Sequence, residues 1–369
     1  MAPDWSRIRQ QFPALAHWTY LNTATYGQTP LAAAAAIEQH LRHRDELACS
    51  DFLSWFDDAD GIRRDIGRLI GCQGDDVAFL ATASQALSLL IGGIEWAPGD
   101  RVITLEHEFP NNLYYPAMLA DRGVEFVETA WDRLFDEIDE RTRLVAVSSV
   151  SYVTGFRPDC EALARRLQGT RALLYIDGTQ SVGALRMDVG VLRPAMMAVD
   201  AYKWMLTPNG AGFVYVDPVV REWLKPNVIG WRSHFDWRAV DRLHHGAPEF
   251  ASAAERYEGG MLPFPALYAL GAVVRMMLDL GPERIEQRVL GLAGGCRAML
   301  ESLGARTAAG PSPVISGKWE GRDASALARS LREEKVLASA RHGYLRVSTH
   351  FYNDEEDLAV LETLLRRIL

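Results

Sequence analysis

Apolar and polar positions follow two rhythms along this chain. Between residues 77 and 216, short β-branched and aromatic runs stop at Gly, Asp or polar residues. VAFLA (77–81), RVITL (101–105), VEFVE (124–128), RLVAVSS (143–149), ALLYID (172–177) and GFVYV (212–216) are predicted strands. Several are apolar on both faces, as in a sheet covered on two sides. Stretches with helical spacing lie at 31–47, 55–70, 84–93, 111–122 and 160–168; in the last, Cys160, Leu163, Ala164 and Leu167 mark one face. Strand and helix in alternation predict an α/β fold with a mostly parallel, doubly wound sheet.

The rhythm changes after about residue 217. Residues 225–263 are rich in Trp, His, Pro and Gly and read as an irregular excursion. Helices follow at 264–280 and 283–303, the second after a Gly-Pro that resets the chain. The tail reads strand (313–318), helix (323–334), strand (336–341), strand (344–348) and helix (354–368), a small α+β unit. Asn353 or Asp354 caps the last helix, whose first turn is acidic, as the helix dipole favours.

Composition narrows the function classes. A net charge of −9 argues against a nucleic-acid scaffold, and 48% apolar with 24% charged residues is an ordinary soluble mixture. Cys49, Cys72, Cys160 and Cys296 are scattered, with no CxxC spacing, so neither a disulfide framework nor a zinc knuckle is expected. The setting expected from this is reducing and cytoplasmic. The start, MAPDWSRIRQQFPAL, lacks the pattern of a signal peptide, and no run reaches the ~18 apolar residues of a membrane span. Only four lysines are present, Lys203, Lys225, Lys318 and Lys335, so lysine chemistry has few candidates.

Phosphate-loop, dinucleotide, HExxH and GxSxG motifs are absent. The informative stretch is 172–216. A strand ends in Asp177, at the edge where open α/β sheets bind ligands. Lys203 then lies between an apolar run and the turn Pro208-Asn209-Gly210-Ala211-Gly212. A buried lysine of lowered pKa suits imine formation with a carbonyl. An acid and a lysine so placed point to pyridoxal 5′-phosphate (PLP), which needs a Schiff-base lysine and a carboxylate against its pyridine nitrogen. Thr82-Ala83-Ser84, between a strand and a helix start, offers backbone N–H groups and a hydroxyl to a phosphate. Taken singly, Asp177 reads as a turn residue, Ser84 as a helix cap and Lys203 as a loop lysine; their order and spacing make the case.

The segments YLNTATYG (20–27), IDGTQSVG, DAYKW and LRVSTHFYNDEEDL (345–358) resemble the class V aminotransferase family of fold-type I PLP enzymes. That group includes cysteine desulfurases, selenocysteine lyase, isopenicillin N epimerase and, more distantly, kynureninase. The resemblance implies a large PLP-binding domain over 16–255 and a small domain from 1–15 and 256–369. It assigns Lys203 to the Schiff base, Asp177 to the pyridine nitrogen and Gln180 to the ring hydroxyl oxygen. Ala83, through its N–H, and Ser84 match the phosphate cradle, and Tyr202 stands where a phosphate donor is found. Phe109 is placed as the ring stacked on the cofactor, with His107 the alternative there. Arg346 matches the arginine that grips the substrate α-carboxylate. Trp231 resembles a tryptophan that reaches the neighbouring subunit's cofactor, which implies a homodimer with active sites at the interface.

Departures from the family pattern narrow the chemistry. Desulfurases carry a cysteine on a mobile loop before the carboxylate arginine; here VLASARHGYLRVS has none, and Cys296 reads as packing. Tyr152 replaces an Asn beneath the cofactor, and Met261 replaces a Thr that contacts the partner's phosphate. The expected activity is transamination or β-eliminating C–S lysis of a small amino acid. Epimerisation and kynureninase-like hydrolysis are the alternatives, and a non-catalytic PLP-binding protein is the reading from a different class. Neither nucleic acid nor a membrane is an expected partner.

Overall fold

The computed structural model describes residues 3–369. Its strands are β1 (Thr19–Tyr20), β2 (Val77–Phe79), β3 (Arg101–Leu105), β4 (Glu125–Thr129), β5 (Thr142–Ser148) and β6 (Leu173–Asp177). They continue with β7 (Met196–Asp200), β8 (Gly212–Val216), β9 (Val314–Gly317), β10 (Val336–Leu337), β11 (Ser339–Arg341) and β12 (Tyr344–Ser348). A seven-stranded sheet has the order β2-β8-β7-β6-β5-β3-β4. Its strands run parallel except β8, which lies antiparallel to both β7 and β2. The expected mostly parallel, helix-covered sheet is therefore what the chain builds.

β7 is the strand of the large sheet missing from the sequence reading, where AMMAVD was only an apolar run before Lys203. All five of its residues are buried, so it lacks the alternation that marks a half-exposed strand. Another difference lies at 111–122. The expected helix is broken into Pro110–Asn112, Tyr114–Met118 and Leu119–Arg122. Pro116 has no N–H to give, and the chain stops in left-handed geometry at Gly123, φ 73°. The long helices lie within a residue or two of expectation, among them Leu31–Glu46, Ser54–Ile70, Ala83–Gly93 and Phe264–Leu280.

The expected strand 336–341 divides at Ala338. β10 pairs in parallel with β1, whereas β11 turns to pair with β12 in the antiparallel sheet β11-β12-β9. One apolar core joins Leu21 to Leu300, Ile315, Leu331, Val347 and Leu361 beneath this small sheet. Helix Phe264–Leu280, grouped above with the small domain, packs on helices Leu31–Glu46 and Ser54–Ile70 in the large core. At the N-terminus, Arg9 reaches the last helix through Asp357 at 2.8 Å. That helix starts at Asp354, which accepts from the Asp357 N–H as a capping box. Among the described residues no single helix is long and apolar enough to cross a membrane.

Candidate active site

One edge of the large sheet collects the carboxyl ends of β2, β3, β5, β6 and β7. In an open α/β sheet this edge is where backbone groups and helix N-termini are left free for a ligand. β6 ends in Asp177 and β7 in Asp200, with Lys203 three residues further on. The segment 20–27 closes over them. Gly27 donates its N–H to the Tyr202 carbonyl at 2.9 Å. A Cβ at Gly27 would overlap the Lys203 carbonyl oxygen, so only glycine fits this approach.

Lys203 is 8% exposed. Its Nζ lies 5.4 Å from the ring centres of Phe109 and Tyr202. Among the described residues it has neither an ion pair nor a hydrogen bond. Burial lowers its pKa; Asp177 and Asp200 act on it through space in the opposite sense, and Arg346 and Arg341 lower it further. Asp177 is buried as well, and one of its oxygens accepts from the Thr179 N–H at 2.9 Å. A buried amine and a buried carboxylate that do not meet leave a gap for a third, polar body.

Phe109 is the ring beside Lys203. Glu108 holds its loop, accepting from the Ser148 N–H (2.6 Å), the Ser148 hydroxyl (2.5 Å) and Asn112 (3.1 Å). His107, the alternative, is exposed on the turn at φ 63°. Tyr152 packs its edge against Phe109, with centroids 5.1 Å apart. Burial raises its hydroxyl pKa, and that hydroxyl meets His342 Nε2 at 2.9 Å.

Two assigned groups are already engaged. The Ala83 N–H donates to Asp200 Oδ1 at 2.7 Å, so this donor is not free for a phosphate. The Asp200 carboxyl is pushed up to about 6, by burial first and by Asp177 second. Ser84, half-buried beside it, faces a groove shared with Gln85, Gly210, Asn227 and Met261. Gln180 accepts from the Trp204 indole at 2.8 Å and donates to the Ala24 carbonyl at 3.0 Å, which leaves one amide N–H. Tyr202 packs on Tyr26, tilted 45° with centroids 5.1 Å apart, its hydroxyl pushed up to about 12 by burial. Trp231 is not brought to Lys203: it packs against Trp237 (5.4 Å) and Phe56 (6.1 Å).

Arg346 comes from the small sheet and is 1% exposed. Its guanidinium donates to the Tyr152 carbonyl (2.7 Å), Thr25 Oγ1 (2.5 Å) and Ser339 Oγ (3.2 Å). All three partners are neutral. Burial, then Arg341, lowers its pKa to about 9. A cation held this way is set to receive an anion. Sequence reading missed Arg341, Asp200 and Glu108. The period-two spacing of SARHGYLR, which sets Arg341 and Arg346 on one face of a hairpin, was the available signal.

These residues fit PLP: an unpaired buried amine, an unpaired carboxylate across the gap, an aromatic ring beside the amine and an anion-ready arginine. Comparisons with known proteins agree. The family model described as aminotransferase class-V matches residues 20–361. A probable cysteine desulfurase of Methanothermobacter thermautotrophicus is 24% identical, covering 98% of this chain and 97% of its own. Isopenicillin N epimerase of Streptomyces clavuligerus is 25% identical and covers 96% of each. Among solved structures, C-DES carrying glycine covalently linked to its PLP cofactor superposes with TM-score 0.89, at 22% identity and 99% coverage of both chains. The cystine C–S lyase C-DES with its product cysteine persulfide gives 0.87, at 22% identity, over 96% of this chain and 99% of that one. The chain is a PLP-dependent enzyme and belongs to the class V aminotransferase family.

Proposed function

We propose that this enzyme breaks the C–S bond of a cysteine-derived amino acid by β-elimination. The observation that carries the reading is the hairpin of β11 and β12. It closes through His342-Gly343, both at positive φ, with no cysteine and no long loop. Cys296, the nearest thiol upstream, is sealed in the small core with its pKa pushed up to about 12 by burial. The hairpin therefore offers no thiolate to take sulfur from the substrate, and the sulfur leaves with its own substituent. In balance, RSCH2CH(NH3+)COO− and water give RSH, pyruvate and ammonium.

PLP bound at Lys203 supplies the electron sink for this chemistry. The protein supplies the rest. Arg346 holds the α-carboxylate as a fork. The Lys203 amine, its pKa lowered by burial, moves the Cα proton. Asp177 would hold the pyridine nitrogen as its carboxylate partner, and Phe109, beside Lys203, would cover the cofactor against water. Ser84, at the start of the helix Ala83–Gly93, would hold the phosphate, the Ala83 N–H being taken by Asp200.

The exposed apolar residues Val228, Ile229, Phe235 and Met261 of the excursion, with Tyr114 and Met118, are proposed as a homodimer face. The four free thiols suit a reducing cytoplasm. The test is incubation with an S-substituted L-cysteine and no keto acid. Pyruvate and thiol in equal amounts are expected. An absorbance product near ~330 nm without pyruvate means transamination. Solvent deuterium at Cα with inversion means epimerisation.

A further inference from the structure

The hairpin that carries Arg346 carries a second arginine. In the β11–β12 register Ser339 faces Arg346 and Arg341 faces Tyr344. Residues opposite one another point the same way, and so do residues two apart on a strand. Arg341 and Arg346 are thus diagonal neighbours on one face. Ser316 of β9, opposite Arg346 on its other side, is small, as is Ser339. The guanidinium of Arg346 therefore has room to lie down between them.

Both arginines converge on one oxygen. Thr25 Oγ1 accepts from Arg346 Nη2 at 2.5 Å and lies 3.4 Å from Arg341 Nη2. The other Arg341 bond, 2.7 Å, goes to the backbone carbonyl of Ala340. Among the described residues no carboxylate pairs with either guanidinium. Two like charges at one oxygen, near a buried lysine that also feels both, repel each other without compensation. Such an arrangement persists when anions are its purpose.

One carboxylate satisfies only Arg346. Its Nη1 and Nη2 each keep one free N–H, enough for a bidentate grip. Arg341, half-buried, is left with its Nε and further N–H groups. We infer that Arg341 binds a second anionic oxygen group, carried on the sulfur substituent of the substrate. The substrate class is then S-substituted cysteines with a distal carboxylate or an equivalent oxyanion. This inference rests on the lyase reading for the identity of the bond broken, and on geometry alone for the charge.

The test uses an isosteric pair, S-carboxymethyl-L-cysteine and its neutral amide S-carbamoylmethyl-L-cysteine, on the PLP-loaded enzyme. Half-saturation is read from the cofactor's absorbance, and kcat/KM from pyruvate. The wild type should favour the acid by roughly 10–100-fold, as for one charge-assisted bond. Arg341→Gln should bring that ratio below about 3, and Arg341→Lys should keep part of it. The ratio is taken within each variant, so a folding defect cancels. A wild-type ratio near one overturns the inference. So does an unchanged ratio in Arg341→Gln, or an equal fall for both ligands, which would place Arg341 on the α-carboxylate. If absorbance shows the preference but pyruvate never forms, the second anion site stands and the lyase reading falls.

Discussion

Two regions of this enzyme bury arginines to the same depth and treat them in opposite ways. In the excursion, Glu258 is fully buried between Arg63 at 2.6 Å and Arg232 at 2.9 Å, and it also accepts from the Phe79 N–H at 2.7 Å. Burial alone would lower the pKa of Arg63, but Glu258 outweighs it and holds it above the ordinary value. In the small sheet, Arg346 has only neutral oxygens, and its pKa falls to about 9. The first region is complete within the chain. The second lacks its counter-charge, and that difference separates a structural ion cluster from the proposed binding site. Arg232 also lies 4.6 Å over both Phe56 and Trp237, which locks the excursion to helix Ser54–Ile70. The same aromatic cluster holds Trp231, against Phe56 and Trp237.

The sharpest test of the open region is Lys203→Ala. Turnover should fall by roughly 10³-fold or more, the loss of a general base together with the covalent anchor. The band near ~410–430 nm should lose its sensitivity to borohydride. Retention of that sensitivity would move the Schiff base to another lysine and remove the basis of the comparison. The next effect is a contrast in stability. Glu258→Gln strips two buried guanidiniums of their shared partner and should cost about 3–5 kcal/mol in denaturant melts. Arg346→Met removes an unpaired cation and should leave stability equal or higher, while KM rises roughly 100-fold. Equal losses in both variants would mean that the two arginines do the same work.

How much of this was legible in the sequence depends on what each feature needs in order to be seen. The strands ending in Asp177 and beginning at Gly212 have clear boundaries, and the long helices have clear faces, so the fold and the candidate lysine could be read together. β7 did not, because a strand buried on both faces has no polar beat. Pairing is invisible in sequence. Nothing in a list of 35 arginines distinguishes Arg232 from Arg346. Ala83 shows the same limit: its N–H stands at a helix start, as expected, but Asp200 reaches it from a strand 117 positions away. The turn at His342-Gly343 is what sets Arg341 in register with Arg346, and register is decided by pairing rather than by local propensity.

A smaller effect joins the two halves of the site. His350 is fully buried, with Nδ1 accepting from the Phe351 N–H at 2.7 Å and Nε2 at 2.9 Å from the Trp204 carbonyl. Nε2 therefore carries the proton, and burial lowers the imidazole pKa to about 3. The folded state keeps this ring neutral, whereas the unfolded chain takes up its proton below about 6.5. The stabilisation is complete above about pH 6.5 and is lost as pH falls toward 3, at about 1.4 kcal/mol per unit. By pH 4 the loss is about 3 kcal/mol. His350→Gln should flatten that slope relative to wild type in melts taken from pH 7 to 4. Parallel slopes would mean that the ring is already solvated.

The smallest predicted effect has the opposite sign and tests whether an unpaired anion behaves like the unpaired cation. Asp200 sits beside Asp177, and its raised value of about 6 means that the fold prefers its carboxyl protonated. Relative to the unfolded chain near 3.8, the penalty is absent at pH 3, grows through pH 4–6 and is complete above it. Asp200→Asn keeps an oxygen for the Ala83 N–H and removes the charge. Cofactor-free variant protein should be more stable than wild type by about 2 kcal/mol at pH 8 and indistinguishable from it at pH 4. A variant less stable at pH 8 would show that the charge, not merely the oxygen, is what the helix Ala83–Gly93 requires. Asp200 would then belong with Glu258, among the charges whose partners the chain supplies, and not with Arg346.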